Sequence, residues 1–114
     1  MTTPSKRKGD RFEREIKQWL DDNNIPVDRT RVGWTDDRGD IHGIPNVVIE
    51  CKNHKTLDLA QWIRELDSEI ANAGARTGCV VHKRRGTTNG SDHYATLRFG
   101  AFIQLLREAG YLDA

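Results

Sequence analysis

The longest uninterrupted aliphatic run in this chain is Val47-Val48-Ile49, and the other apolar residues stand among polar and charged ones. Crossing a bilayer takes about 20 consecutive apolar residues, so no membrane span is expected. What the chain can build is a small core around that run. Its 114 residues predict one domain, 1–114, with residues 1–5 as a flexible leader. At 36% apolar and 31% charged the composition is lean, yet rich enough in Ile, Leu, Val and Trp to exclude disorder throughout. Met1 to Lys8 is polar and then basic, unlike the apolar stretch of a signal peptide. Cys51 and Cys79 are too few for a disulfide framework, which points to the reducing cytoplasm.

Net charge is only +1, but it is unevenly spread. Residues 5–17 sum to +3 through Lys6, Arg7, Lys8, Arg11, Arg14 and Lys17, and residues 82–98 sum to +3 through Lys83, Arg84, Arg85 and Arg98. Residues 58–69 sum to −3 through Asp58, Glu65, Asp67 and Glu69. Segregated faces of this kind would let one side meet phosphates while the other stays solvated; ordinary surface charge is the competing explanation.

Phe12, Ile16, Trp19 and Leu20 share one face of a helix that runs to about Asn23, capped by Ser5 or Asp10. Ile25 to Val32 reads as a strand, Gly33 to Gly39 as a polar turn, and Asp40-Ile41-His42 as a strand start. Gly43 to Asn46 then turns the chain into Val47 to Lys52, its most strand-like segment. Leu57 to Ala73 repeats at helical spacing, with Asn72 to Gly74 as its stop. Gly78 to His82 predicts a central strand, His93 to Phe99 another, and Gly100 to Ala109 a last helix bearing Phe102, Ile103, Leu105 and Leu106. The order α-β-β-β-α-β-β-α implies an α/β or α+β fold, a central mixed β-sheet flanked by helices.

The sharpest chemical signal is Asp40 followed by Glu50-Cys51-Lys52. Alternation along a strand puts Glu50 and Lys52 on one face and Ile49 and Cys51 on the other. A hairpin across Gly43 to Asn46 that sets Asp40 opposite Glu50 brings two carboxylates and a lysine together; a slip of one residue breaks the cluster. Adjacent carboxylates repel, and a divalent cation with oxygen ligands, magnesium or manganese, holds them at least cost. Such an ion beside a lysine that orients or deprotonates the nucleophile suits phosphodiester hydrolysis. A structural Glu-Lys pair with a turn-forming Asp is the competing reading. Glu13 falls on the edge of the first helix's apolar face and needs a partner there, either a basic side chain or a metal.

The segment Lys8 to Ile16, with Arg11-Phe12-Glu13-Arg14-Glu15 at its centre, then Gly39-Asp40-Ile41 and Val48-Ile49-Glu50-Cys51-Lys52, resembles the archaeal-type Holliday junction resolvases and their phage-encoded relatives, within the PD-(D/E)XK nuclease superfamily. The resemblance spans roughly residues 5–106 in element order. It implies a restriction-endonuclease-like core and a Mg2+-dependent homodimeric endonuclease, with Mn2+ able to substitute, that makes paired nicks in a four-way DNA junction. Carried over, Asp40 and Glu50 are metal ligands, Lys52 is the catalytic lysine, and Glu13 is a helix acid touching the metal or its water. Gly39 stands where the superfamily pattern has proline, a position that supplies backbone. Thr35 is the candidate for a small hydroxyl residue before the Asp, and Gln61 for a glutamine after the lysine.

For DNA contact the candidates are Lys6, Arg7, Lys8, Arg11 and Arg14, then Trp34 and Arg38 before Asp40, His54, and Lys83, Arg84 and Arg85. Solvated loops are the competing reading for His54 and for 83–85. His42, His54, Cys51 and Cys79 fit no usual zinc spacing, and both thiols fall in core-like strand positions. Trp19 and Trp62 read as core, and Phe102 with Leu106 as a dimer cover. Two other functions remain open: a nuclease of the same superfamily acting on duplex or flap DNA, and a branched-DNA binding module without catalysis.

Overall fold

The computed structural model describes residues 3–30 and 38–113. Thr3 starts the first helix: its hydroxyl accepts the Lys6 amide at 3.1 Å, and Pro4, whose φ is already helical, follows it. The cap is thus Thr3, neither Ser5 nor Asp10. Helix α1 (Pro4–Asp22) buries Phe12, Ile16 and Leu20, and each such side chain contributes roughly 1.5–3 kcal/mol, so this stripe anchors the helix. Asn23 closes it, and Asn24, at φ 65°, reverses the chain.

Strand β1 (Asp28–Arg29) is far shorter than the Ile25–Val32 strand expected. Pro26 has no amide to offer a ladder, and the Val27 amide is taken by Asp21 Oδ1 at 3.1 Å; residues 31 and 32 lie outside the described residues. Strands β2 (Ile41–His42), β3 (Val47–Lys52), β4 (Thr77–His82) and β5 (Tyr94–Thr96) complete a five-stranded sheet in the order β1-β2-β3-β4-β5. The pair β3–β4 is parallel and the other three pairs are antiparallel. Helix α2 (Leu59–Ala73), capped by Asp58 and ended by Gly74 in the left-handed region, carries the crossover that parallel neighbours need. One 3-10 turn, Gly90–Asp92, precedes β5, and α3 (Phe99–Glu108) closes the chain. The fold is α/β with a mixed sheet.

The sheet has a core on each face. Ile49 meets Phe12, Ile16, Leu20, Val27 and Ile41 on the α1 side. Val48 meets Trp62, Leu66 and Val80 on the α2 side. Because both faces of β3 are covered, Val48, Ile49 and Glu50 are buried in succession, and a glutamate is thereby drawn into the interior. Trp62 is core as expected, whereas Trp19 is half-buried over Gly90, where any Cβ would strike the indole.

Helix α3 buries no residue fully: Phe99, Phe102 and Leu105 are exposed, and Leu106 is half-buried. It is tied down by Arg76 to Glu108, and its cap Arg98 meets Asp67 at 2.7 Å. The second of these pairs joins the basic 82–98 segment to the acidic helix, so those two charge sets meet instead of occupying separate faces.

Candidate active site

The β2–β3 register pairs Ile41 with Ile49, which sets Asp40 across from Glu50. This is the register the two-carboxylate reading required. The Asp40 amide donates to Ile49 O at 3.0 Å, fixing its main chain to β3, and Asp40 Oδ2 accepts the Cys51 amide at 2.8 Å, which aims the carboxylate. Gly39 just before it has φ 90°, and a Cβ there would collide with the Val48 side chain. Proline, locked near −65°, cannot take this conformation; here glycine is required by the geometry and is no passive substitute.

Glu50 lies on the α2 face of the sheet, 7% exposed. Among the described residues no donor reaches its Oε1. Burial above all, then contact with Asp40 and with Glu69, pushes its pKa up to about 12. Glu69 descends from α2 and is 1% exposed. Sequence reading missed it, although Trp62, Leu66, Glu69 and Ala73 share one helical stripe, and an acid on an apolar stripe was the available signal.

Lys52 Nζ sits 3.8 Å from Glu50 Oε2 but 2.6 Å from Glu65 Oε2. Burial works to lower its pKa, yet the Glu65 hydrogen bond and the charges of Glu50, Glu65 and Asp40 outweigh it and raise the net value. The charged form is thereby favoured, and the ammonium stands as a fixed positive charge between Glu50 and Glu65. Glu65 is in turn steadied by Gln61, whose Nε2 donates at 3.2 Å, so Gln61 supports the lysine through a carboxylate.

Glu13 finds the basic partner its position demanded. Arg29 donates to it at 3.2 and 3.4 Å and approaches Asp10 at 3.5 Å. Burial, then the Asp40 charge, raise Glu13 to about 6 against the opposing pull of Arg29. Arg29 was invisible as a partner because only the pairing of β1 with β2 brings it to α1.

Glu13, Asp40, Glu50 and Lys52 line one cleft of about 400 Å³, together with Lys8 and His54. Among the described residues no group of three or more His, Cys, Asp or Glu side chains is gathered tightly enough to hold a metal ion. Of the three acids expected at the metal, Asp40 and Glu50 stand opposite each other across β2 and β3, and Glu13 is bonded to Arg29. Cys51 and Cys79 are free and half-buried, and burial raises both thiols, which suits neither to zinc.

The expected DNA contacts divide. Lys8 and His54 line the cleft, and the His54 ring rests 5.6 Å from Trp62. Lys6, Arg7, Arg11 and Arg14 are exposed along α1, and Arg38 is exposed beside Gly39. Lys83 is drawn away: its Nζ binds Glu15 at 2.9 Å and lies 5.4 Å above the Phe12 ring. Arg84 approaches Asp92 at 4.0 Å, and Arg85 is exposed outside the cleft lining. Trp34 and Thr35 lie outside the described residues.

Comparison of the chain with protein-family models, with curated proteins and with solved structures found no match.

Proposed function

We propose that this chain is a magnesium-dependent endodeoxyribonuclease with a restriction-endonuclease-like core that resolves four-way DNA junctions by phosphodiester hydrolysis, with manganese able to substitute. The observation that carries this reading is Glu50, a buried carboxyl facing a polar cleft, with no donor on one oxygen among the described residues and a second carboxylate against it. A fold gains no stability from two acids pressed together out of water. A hard cation with oxygen ligands is the partner such a pair suits. Magnesium needs no third protein acid, because it keeps several waters and shares substrate phosphate oxygens.

Asp40 and Glu50 would hold the ion, which would supply Lewis acidity toward a water and a phosphoryl oxygen. Lys52, fixed by Glu65, offsets negative charge that builds on the phosphate. Glu13, held from behind by Arg29 of β1, belongs to the α1 wall of the cleft. Lys8 and His54 meet the phosphates at the cleft, and Lys6 extends the basic contact at the start of α1, whereas Arg11 and Arg14 lie on the far side of the helix. Two such sites in a homodimer would give paired cuts, and the exposed Phe99, Phe102 and Leu105 of α3 offer an apolar face to a second copy. The proposed setting is the cytoplasm.

The test is cleavage of a synthetic four-way junction and of linear duplex with the same arms, in magnesium, manganese and calcium, by wild type and Glu50→Ala. Junction cutting by wild type in magnesium and none by the variant is the expected result. Equal rates on both substrates would point to a duplex or flap nuclease of the same kind. An intact junction, bound equally by both proteins, would point to a binding module.

A further inference from the structure

Gly9 lies inside α1, where glycine is the poorest residue after proline. Among the described residues nothing in the fold asks for it. Its φ is not among the positive values, and a Cβ built on it would meet nothing within 4 Å. Yet Gly9 lines the cleft, between Ser5 one turn before it and Glu13 one turn after. These three residues form a single helical stripe beside the buried Phe12-Ile16-Leu20 stripe. Across the cleft stand Asn53, His54 and Lys55. Among the described residues neither Lys8 nor Lys55 is paired with a carboxylate, so two cations of the lining are open to an anion. Glu50, buried with an oxygen that receives no donor, faces the same space.

We infer that the Ser5–Gly9–Glu13 stripe of α1 is the track of the strand to be cut, and that Gly9 is bare so that a DNA sugar–phosphate backbone can pass against the helix. Lys8 and Lys55 flank that passage and meet successive phosphates. Glycine serves a ligand here by the same means it serves a tight chain packing: it removes the one atom that would hold the neighbour off. This inference rests on the nucleic-acid reading of the cleft and adds to it where the strand runs.

The test compares Gly9→Ala, Gly9→Leu and, as a control on the outer face of α1, Gln18→Leu. Thermal unfolding and the dissociation constant for a four-way junction in calcium are measured on each, with cleavage in magnesium beside them. Gly9→Ala is expected to raise the unfolding temperature by roughly 4 °C, since alanine is the better helix former. Gly9→Leu should unfold no earlier than wild type yet bind the junction at least about tenfold more weakly, a loss of about 1.4 kcal/mol. Gln18→Leu should bind as wild type does.

A Gly9→Leu protein that binds as tightly as wild type overturns the inference. So does one that loses stability and binding together, because Gly9 would then serve the fold. If wild type binds through this cleft without cutting, the hydrolysis reading fails and the track stands. If wild type and Gly9→Leu cut and bind alike, the track fails and the nuclease stands. A wild type that binds no DNA removes both.

Discussion

Two glutamates, Glu15 on α1 and Glu50 on β3, look alike in the sequence, each an acid with basic residues close by, yet the fold treats them in opposite ways. Glu15 has a donor at each oxygen, Lys83 at 2.9 Å and His93 at 2.5 Å. Burial acts to raise its pKa, but those hydrogen bonds and charges hold it below the ordinary carboxylate range. Glu50 is more deeply buried, has no donor on Oε1 among the described residues, and faces acids on two sides. The first arrangement ties the loop after β4 to α1 and is complete. The second is incomplete among the described residues, and the proposed function rests on that incompleteness.

The largest effects should come from the incomplete cluster. Asp40→Asn and Lys52→Ala are each expected to lower junction cleavage by about 10³-fold while changing the dissociation constant less than threefold, because they act on the reacting phosphate and not on the grip. Single-turnover rates and gel-shift titrations on the same preparations check this. If binding and cleavage fell in step, these residues would belong to the contact surface.

Gly39→Ala should cost roughly 2–4 kcal/mol, from a positive φ and from overpacking against Val48. Denaturant unfolding measures it. A cost below 1 kcal/mol would show that the turn before Asp40 can relax, and the rigid mounting of that carboxylate would go with it.

Glu15→Gln belongs to the completed cluster and should cost roughly 1 kcal/mol at pH 7 with cleavage unchanged. Since the folded-state pKa of Glu15 is depressed, its contribution is present above the unfolded value near 4.5 and disappears as pH falls through the lower folded value. The gap between wild type and Glu15→Gln should therefore close in acid, which unfolding curves at pH 7, 5 and 3 would show. The smallest effect expected is Arg85→Ala: stability unchanged and junction binding weakened less than threefold, against a larger loss for Lys8→Ala in the cleft.

Much of this was legible beforehand because β3 obeys two local rules at once. Val47 to Lys52 is strand-like in composition, and its alternation alone assigns Glu50 and Lys52 to one face. The hairpin then needed only a register, and Asp40 opposite Glu50 was the one that gathered the charges. What was not legible came through space. Glu65 and Glu69 reach β3 from α2, Arg29 reaches Glu13 from β1, and Lys83 turns to Glu15 across the α1 face. None of these partners shares a periodicity with the residue it meets. Strand β1 shrank because Pro26 lacks an amide and Asp21 captures that of Val27, a competition that propensity does not register. The α1 cap moved to Thr3 because Pro4 is better suited to the first helical position than to the leader.

If Glu50 serves a cation, the fold keeps it at a cost to its own stability. The most direct measurement is the stability and the magnesium-dependent junction cleavage of Glu50→Gln, made on one preparation and with stability read in EDTA. A raised pKa means that the acid favours the fold below about pH 4.5 and opposes it increasingly as pH rises, so glutamine should be more stable at pH 7 by up to about 3 kcal/mol. Glu50→Gln should be harder to unfold and should not cut. A Glu50→Gln protein that unfolds more easily while cutting junctions as well as wild type would contradict it.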